Sequence, residues 1–534
     1  MPKVLFTFGR EDDLDRDAVK RLVASLSKLL EPGDALAATA ASDLEYVSSR
    51  SFGGAYVLDH LWRRLKIDQI VGRVGQPKRG RRRDMTATER VLFALAANRA
   101  LAPSSKLAAA DWITHDVHID GLGGTDDDSC YRAMDWLHEV KDDLEKQVFD
   151  EVATLLNLEV DLLFFYTTST YFELEEPDEH VARDDAGRRQ GDGDANKTGF
   201  RIYGKSKDSR DDLPQIVIGM AVTRDGIPVR CWCRPGNASD QKVIRQVKDD
   251  MRDWTLSKIV WVTDRGFSSA ENRRYLRQGD HAYIIGEKLR SGSPEVQAAL
   301  SRQGRYTEIA ENMRVKEVRI SDTDRFVICH NPESADRDKH MREQLVAQLA
   351  DLIANTDKLS DFRRGELRGR IADKPGLNRY LRTTPAGKLR VDQAKIKAEE
   401  NLDGKYLLRC SDPHLSAEDI ALGYKQLLEV ERGWRDMKQI IDLRPVYHRL
   451  EERIRAHVVL CRLALLLIRI VETQAGTTWS EARRELQRLH VGTLTGPSGT
   501  FQQATGLTKP QRDLLAKLRI PHPKQVLDLQ PAPR

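Results

Sequence analysis

The stretch Leu256–Phe267, LSKIVWVTDRGF, most constrains what this chain can fold into. Its apolar run ends abruptly in Thr263-Asp264-Arg265-Gly266, and a helical pattern follows from Ser268. A short apolar run bounded by turn signals indicates a buried strand of a parallel sheet. Asp264 then stands at the carboxyl end of that strand, where open α/β sheets place functional groups. A lone Asp at such a point more often only caps the next helix, so its function depends on other segments.

Patterns on either side of this stretch predict a sheet. In chain order they are the strand Val160–Tyr166, the hairpin strands Ile216–Val222 and Ile227–Cys233 about a Gly-containing turn, the helix Ala238–Trp254, the strand Leu256–Val262, the helix Ser269–Gln278 and the strand Ala282–Ile285. This order is that of a ribonuclease H-like layout, in which the first and fourth strands are parallel neighbours. Residue 166 and Asp264 are therefore expected side by side at one end of the sheet.

The fold predicted is α/β: a ribonuclease H-like mixed sheet with an inserted α+β module and a helical N-terminal domain. The predicted parts are a helical DNA-binding region at 1–155, the first part of the core at 156–286, the inserted module at 287–410, the C-terminal part of the core at 411–475 and a C-terminal helical region at 476–534. Helices are expected at Arg16–Leu30, Gly54–Leu65, Thr86–Asn98, Ser104–Trp112 and Asp126–Leu155. In the module the patterns predict the hairpin Val315–Ile320 and Arg325–His330, the helix Lys339–Ala354, and strands at Lys388–Ile396 and Lys405–Cys410.

Composition limits the class of protein. Charged residues make up 31% of 534 and the net charge is +4, which indicates a soluble, mildly basic chain. The six Cys include no C-x2-C pair, so a zinc ribbon or disulfide framework is not indicated, and Cys231 and Cys233 are expected to be buried thiols. No signal peptide is recognised, and the apolar stretch Val458–Val471 is too short to span a bilayer. A cytoplasmic protein with no membrane partner is expected.

A basic segment, Arg73–Arg83, lies between two predicted helices. It contains four closely spaced arginines: Arg79, Arg81, Arg82 and Arg83. Such a run is usually a solvated loop, but its charge also suits contacts with DNA phosphates, which are independent of base sequence. The DNA interpretation is slightly favoured.

A third informative element is the predicted helix Leu415–Ile441. Ser416 and Asp419 resemble a capping box at its start. Tyr424, Glu431 and Lys438 are spaced by seven and therefore share one helix face, and Arg435 lies one turn after Glu431. For an anonymous helix the ordinary interpretation is a surface face carrying a Glu431–Arg435 salt bridge.

Together these segments resemble the DDE transposases of bacterial insertion sequences, in the class with an insertion ahead of the catalytic Glu. The signature of that class is Y-x2-R-x3-E-x6-K, and this chain has Tyr424, Leu427, Glu431 and Lys438, so three of the four positions match. Further similar blocks span most of the chain: SSKLA (104–108), GKSKDSRDDLPQIVIGMAV (204–222), DGIPV (225–229), PGNASD (235–240), TDRGF (263–267), LRPVYHR (443–449) and IPHPKQV (520–526).

The resemblance implies metal-dependent DNA cleavage and strand transfer at the ends of an element. Asp264 and Glu431 would be catalytic carboxylates that bind Mg²⁺ or Mn²⁺, in a pair of ions about 3.5–4 Å apart. Tyr424, Arg435 and Lys438 would hold phosphates of double-stranded DNA, from the terminal repeats and the target. Asn237 and Asp240 are interpreted as helix caps rather than catalytic residues. A homodimer is expected in the DNA complex, because two ends must be joined.

One departure from the family pattern bears on activity. The family's first-strand motif resembles DTTSxYFE, whereas this chain has YTTSTYFE, so Tyr166 replaces the first catalytic Asp. A phenol is neutral at pH 7, with a reference pKa of about 10, and is a poor ligand for Mg²⁺. None of the nearby acids is well placed to substitute: Asp161, Glu173, Asp178, Asp184 and Asp185. We therefore expect this copy to fold but to be catalytically impaired.

Three other interpretations stay open. The chain could be an inactive DNA-binding relic that occupies transposon ends, alone or in mixed dimers with active copies. It could be another ribonuclease H-like nuclease, acting for example on RNA–DNA hybrids, although the insertion and the family blocks argue against this. It could also be an α/β protein whose carboxylates are only structural.

Overall fold

The computed structural model describes residues 15, 17, 45–77, 79–156, 162–174, 176–184, 187–190, 197–252, 254, 259–290, 292–321, 325–427, 435–444, 446–496 and 499–531. These residues form two compact units. One comprises the described parts of Met1–Leu61, Lys106–Asp127 and Val471–Arg534, and the other those of Trp62–Ser105 and Asp128–Ile470. The first unit has three chain segments and the second has two, so the units cut across the five predicted domains, whose boundaries remain predictions.

Helices and strands alternate along the chain. The helices are α1 Gly53–Arg64, α2 Ile67–Val74, α3 Thr86–Leu101, α4 Lys106–His115, α5 Asp127–Leu156, α6 Asp240–Asp250, α7 Ala270–Leu276, α8 Pro294–Ser301, α9 Pro332–Ile353, α10 Asp361–Ala372, α11 Pro375–Asn378, α12 Gln393–Glu400, α13 Ala417–Lys425, α14 Glu451–Ala475, α15 Trp479–Leu486 and α16 Lys509–Lys517. The strands are β1 Glu45–Ser51, β2 Leu162–Tyr171, β3 Val181–Ala182, β4 Lys197–Thr198, β5 Gln215–Thr223, β6 Pro228–Pro235, β7 Val260–Thr263, β8 Ala282–Glu287, β9 Thr307–Ala310, β10 Met313–Arg319, β11 Arg325–His330, β12 Leu381–Thr383, β13 Leu389–Val391, β14 Lys405–Cys410, β15 His490–Gly496, β16 Gly499–Ala504 and β17 Val526–Pro531.

The second unit is built on a nine-stranded mixed sheet with the order β6-β5-β2-β7-β8-β14-β11-β10-β9. β2 pairs antiparallel with β5, and β5 antiparallel with β6. β7 lies parallel to both β2 and β8. The order and directions of these first five strands confirm the predicted layout and are consistent with a ribonuclease H-like core.

The sequence explains why these strands form. Leu162–Phe165 are completely buried because helices cover both faces of the sheet, and such strands have continuous apolar runs. The predicted hairpin between β5 and β6 is confirmed. Its turn places Gly226 at φ 74°, a left-handed conformation that glycine adopts without a steric penalty.

Alternate residues of the sheet pack on its two faces. Leu163, Phe165 and Trp261 belong to a core with residues of α5, α6 and α7. On the opposite face α13 packs closely, since a Cβ added at Gly423 would lie 3.0 Å from a methyl carbon of Leu162. Helix α13 therefore covers the face to which the even-numbered residues of β2 belong.

A buried ion pair ties α5, α14 and the edge strand β6 together. Arg462 Nε lies 3.0 Å from Glu145 Oε1, and both side chains are almost completely buried. The same oxygen accepts a hydrogen bond from the backbone N–H of Cys231 at 3.3 Å. Burial raises the pKa of Glu145, and the charge of Arg462 is the largest opposing influence.

Four strands of the insertion, β9, β10, β11 and β14, extend the main sheet, whereas β12 and β13 pair in a separate two-stranded sheet. A smaller core lies outside the main sheet and involves α9, α10 and the β12–β13 hairpin. The predicted strand at Lys388–Ile396 was wrong in its second half. Asp392 accepts hydrogen bonds from the N–H groups of Ala394 and Lys395, so it ends β13 and caps α12.

The predicted helix Leu415–Ile441 is not continuous through its described part. Its capping box is confirmed, since the Asp419 N–H donates to Ser416 Oγ at 3.0 Å. However, α13 ends at Lys425, and residues 435–439 are again helical. Residues 428–434, including Glu431, lie outside the described residues.

Four predicted N-terminal helices are confirmed as α1, α3, α4 and α5, whereas all but one residue of Arg16–Leu30 lies outside the described residues. The C-terminal region 476–534, predicted to be helical, contains β15, β16 and β17 as well as α15 and α16. These strands form a four-stranded sheet with β1. Their polar sequences and their pairing with a strand more than 400 residues away explain why the sequence pattern missed them.

Two predictions from composition have outcomes in the structure. All six cysteines are free and buried, which confirms the interpretation of Cys231 and Cys233. Among the described helices, none combines the length and the apolar character required to cross a membrane.

Candidate active site

The candidate site begins with a row of residues across three neighbouring strands. Phe165 pairs with Thr263, and Thr263 pairs with Ile285. Tyr166, Asp264 and Gly286 each follow one of these residues directly, so they lie side by side at the carboxyl ends of β7 and β8. The predicted neighbourhood of residue 166 and Asp264 is thus confirmed. Both side chains are partly buried.

Asp264 also shapes the turn that follows β7. Its Oδ1 accepts the Gly266 N–H at 2.7 Å and caps a short 3₁₀ helix over Arg265–Phe267. Asp264 therefore does act as a helix cap, as a strand-end Asp ordinarily does. This cap uses one lone pair of one carboxylate oxygen.

A lysine that was not among the predicted site residues, Lys207, lies against Tyr166. Lys207 Nζ is 4.8 Å from the centre of the Tyr166 ring, within range of a cation–π contact. Lys207 Nζ also donates to the backbone oxygen of Thr167 at 2.9 Å, and the backbone N–H of Lys207 donates to Ser169 Oγ at 2.8 Å. β2 extends past the end of β7, and Lys207 contacts Thr167 and Ser169 in the part of β2 that does not pair with β7. No local pattern identifies such a lysine, although it lies in the GKSKDSRDDLPQ block.

Tyr424 of α13 reaches the same row. A Cβ added at Gly286 would collide with the Tyr424 hydroxyl and would lie 3.4 Å from the backbone nitrogen of Arg265. The Tyr424 ring stacks on Tyr406 with centroids 6.1 Å apart. Tyr424, the first residue of the family signature, therefore lies next to the turn that holds Asp264.

Gly286→Ala is expected to destabilise the chain by about 1–3 kcal/mol, because the added methyl group must displace Tyr424. Thermal or urea unfolding would measure the change. Tyr424→Phe in the same chain should recover part of the loss by removing the hydroxyl. A double variant no more stable than Gly286→Ala alone would show that this contact does not fix the position of α13.

The other predicted DNA-binding residues of this segment have different surroundings. Lys438 Nζ binds Asp208 Oδ1 at 2.8 Å, and Arg444 contacts the second oxygen of that carboxylate at 2.9 Å. Arg435 is exposed. Glu431 lies outside the described residues, so its position relative to Asp264 stays a prediction. Leu427, which replaces the Arg of the family signature, is buried.

Three further acids near the strand ends are engaged by other groups. Glu287, at the end of β8, lies 2.9 Å from Arg409 Nε. Asp178 makes a close bidentate contact with Arg201, and Asp184 accepts the backbone N–H of Arg188 at 2.8 Å. Glu173 is exposed, and Asp161 and Asp185 lie outside the described residues. Glu287, Asp178 and Asp184 therefore each already have a partner.

These facts bear on the divalent metal that the family uses. Across the part of the chain that the structure describes, no three acidic, histidine or cysteine side chains converge as a metal site. The described row offers one carboxylate, Asp264, and a phenol at position 166. Since hard cations require several oxygen ligands, this set does not fit a two-metal centre.

The basic loop and the predicted helix cap differ in outcome. Arg79, Arg81, Arg82 and Arg83 are exposed, and Gln76 pins their loop through two hydrogen bonds with the backbone of Arg83. The loop keeps its arginines available to a polyanion.

Asn237, which was predicted to cap α6, is not its cap. The Asn237 amide binds Thr198 Oγ1, and Ser239 occupies the N-cap position.

Comparison with known proteins now identifies the class. The sheet order and the strand-end Asp264 are those of a ribonuclease H-like arrangement, and residues 187–467, more than half of the chain, match the family described as Transposase DDE domain. The chain therefore belongs to the DDE transposase family. The matched range begins after β2 and so does not reach Tyr166.

Other comparisons add little. No curated protein matches the sequence. Among solved structures, the piggyBac transposase synaptic complex with hairpin DNA, determined by cryo-EM, is similar at 10% identity with a TM-score of 0.35. That alignment covers 82% of this chain and 78% of the other. A likeness this weak carries no argument about function.

Proposed function

We propose that the chain is the transposase of a bacterial insertion sequence, descended from enzymes that cut DNA at the element's ends and join it to a target. The observation that carries this proposal is the row of Tyr166, Asp264 and Gly286 beneath Tyr424. Family membership sets the reaction class, and this row supplies the positions at which that reaction would occur.

The resemblance supplies roles for individual residues. Asp264 and Glu431 would bind Mg²⁺ or Mn²⁺, and such ions activate water and stabilise the departing oxygen of a phosphodiester. Lys438 and Arg435 would contact DNA phosphates, and Tyr424 would support them. In the structure Lys438 forms an ion pair with Asp208. A DNA phosphate would therefore have to replace the Asp208 carboxylate as the partner of this lysine. Both groups are anions that a lysine binds as a point charge.

Tyr166 leads us to propose that this copy is impaired. The phenol supplies no negative charge at neutral pH, and Lys207 already places a cation against its ring. An ammonium next to a neutral phenol opposes the arrival of a divalent ion by charge repulsion. The chain's own residues therefore bind and orient DNA without completing the metal set.

The same observation favours a second function, that of an inactive copy which occupies transposon ends. Binding to the element's end without cleavage would select this function. Cleavage of the end by the natural chain would select the active transposase instead. In either case a homodimer is proposed on DNA, because two ends must be held together.

Binding to DNA provides the first test. We expect the chain to bind a duplex carrying its own element's end more tightly than a scrambled duplex, measured by fluorescence anisotropy over a salt series. Replacing Arg79, Arg81, Arg82 and Arg83 together by Ala should lower the slope of log K against log salt by about 3–4, since each phosphate contact contributes about 0.9.

A matched control is available in α10. Arg363, Arg368 and Arg370 are equally exposed, and their replacement by Ala should leave the slope unchanged. No preference for the end duplex would contradict the proposed function. An unchanged slope in the basic-loop variant would contradict only the role of this loop.

A further inference from the structure

Three charged side chains from distant parts of the chain form an ionic group beside the candidate active site. Lys438 Nζ lies 2.8 Å from one carboxylate oxygen of Asp208, and Arg444 Nη1 lies 2.9 Å from the other. Asp208 directly follows Lys207, whose Nζ is 4.8 Å from the centre of the Tyr166 ring. The three side chains of the group are between 16% and 25% exposed. The ionic group is therefore partly shielded from water but can be reached by a ligand.

The two cations of the ionic group are also held by contacts outside it. Lys438 lies two residues after Asp436, whose carboxylate accepts a hydrogen bond of 2.6 Å from Arg469 of α14. The Arg444 guanidinium lies 5.1 Å from the centre of the Tyr171 ring, within range of a cation–π contact. These contacts would keep both cations in place if the carboxylate of the group moved away.

The anion of the ionic group, by contrast, belongs to a turn. Residues 206–212 form neither a helix nor a strand, and Ser209, next to Asp208, has a φ of 57°. This left-handed conformation has a steric cost for a residue with a Cβ. Two hydrogen bonds from Lys207 attach the turn to β2, and they do not involve Asp208. The carboxylate can therefore swing away without detaching the turn from the sheet.

The charge of the ionic group favours a further anion. Within the described part of the chain, Lys438 and Arg444 share one carboxylate, so an excess of one positive charge remains. A phosphate can accept the same contacts as a carboxylate, because arginine binds either anion as a fork and lysine binds either as a point charge. Once other contacts hold DNA on the chain, its phosphates reach a high local concentration and compete with Asp208.

We propose that Lys438 and Arg444 form a single site for a backbone phosphate of DNA, and that Asp208 fills this site until DNA displaces it. The exchange of the carboxylate for another anion rests on the geometry, whereas DNA as the source of that anion rests on the proposed function. Asp208 weakens the binding of any duplex whose other contacts cannot expel it. It thereby opposes the loose, sequence-independent binding to which basic chains are prone.

Asp208→Asn provides the first test, by thermal unfolding in inorganic phosphate and in sodium chloride of equal ionic strength. In chloride the variant should be less stable than the natural chain, because two partly buried cations lose their anion. Phosphate should raise the Tm of the variant by about 2 °C more than that of the natural chain. This gain should vanish when Arg444→Gln is added, because the arginine fork is then removed.

A matched control lies in the same turn. Asp212 pairs with Arg210 at 2.9 Å and is more exposed than Asp208. Asp212→Asn removes the same charge from the turn without touching the ionic group, so its response to phosphate should equal that of the natural chain.

Binding to DNA identifies the source of the anion. Asp208→Asn should bind both the end duplex and a scrambled duplex about fivefold more tightly than the natural chain, since no ion pair has to be broken first. Both duplexes should gain alike, because phosphate contacts carry no sequence information. If Asp208 has only a structural role, its replacement would instead leave the affinity for DNA unchanged or lower it.

The two measurements separate the possible outcomes. A selective phosphate response with unchanged DNA affinity would support the exchange and assign the site to a free phosphorylated molecule, against DNA as the source. Equal phosphate responses of Asp208→Asn and the natural chain would overturn the proposal. Folding of Asp208→Asn in phosphate but not in chloride would support the exchange, whereas failure to fold in both buffers would show that the site requires its own carboxylate, contrary to the proposal. The thermal measurement needs no DNA, so it reports on this site even where the chain fails to bind DNA.

Discussion

Tyr166→Asp is expected to raise metal-dependent cleavage of the element's own end by about 10³-fold or more over the natural chain. The substitution returns a carboxylate to the strand next to Asp264, and a metal ion supplies several kcal/mol of transition-state stabilisation, each 1.4 kcal/mol being tenfold in rate. The smaller side chain also removes the ring against which Lys207 packs. Cleavage of labelled end duplex in Mg²⁺ and in Mn²⁺ measures the effect.

Two controls separate charge from size. Tyr166→Asn has the shape of Asp without its charge and should stay inactive, and Asp264→Asn combined with Tyr166→Asp should abolish the gain. Equal cleavage by the natural chain and Tyr166→Asp would refute the proposal that this position disables the copy. Cleavage by neither chain, together with intact end binding, would support the inactive, end-binding copy.

Arg462→Met is expected to have the largest effect on stability, a loss of about 3–5 kcal/mol. Removing one partner of a buried ion pair leaves the other charge poorly compensated, and here the remaining charge is Glu145, which keeps a longer contact of 3.8 Å with Arg230. Urea unfolding at neutral pH measures the loss. For comparison, Arg252→Met breaks an exposed pair with Asp249 and should cost less than about 1 kcal/mol.

The stability loss of Arg462→Met is expected to depend on pH, in a direction set by Glu145. Burial already raises the pKa of Glu145, and loss of Arg462 should raise it further. An acid with a raised pKa stabilises the folded chain least at neutral pH, where its ionised form is buried. The deficit of Arg462→Met should therefore shrink as the pH falls through the folded-state pKa of Glu145. Glu145→Gln in the same chain should also reduce the deficit, and a deficit independent of pH would contradict this account.

The parts of the fold that the sequence predicted are those set by local patterns. The apolar run before Asp264, the Gly226 turn and the Ser416 capping box each specify a strand, a hairpin or a helix start within a few residues. From these elements the order of five strands and the adjacency of Tyr166 and Asp264 follow, because few connections between them are sterically allowed.

The parts that the sequence missed depend on distant partners. β1 pairs with β15 across more than 400 residues, and neither strand has the alternating apolar pattern of a half-buried sheet. The contact of Lys207 with Tyr166 joins a loop to a strand, and a periodic pattern carries no information about it. The break after Lys425 has no Pro to mark it, and the nearby Gly423 lies inside α13 rather than at its C-cap.

The attachment of the inserted module has a geometric consequence. Glu287, where β8 ends, lies directly opposite Leu407 of the antiparallel strand β14, so the chain leaves and rejoins the core at points about 5 Å apart. The segment between Glu287 and Leu407, more than one hundred residues long, thus connects two neighbouring antiparallel strands, as a hairpin loop does. A change in the length of this segment would leave the spacing between β8 and β14 unchanged, so the central strands are geometrically independent of its size.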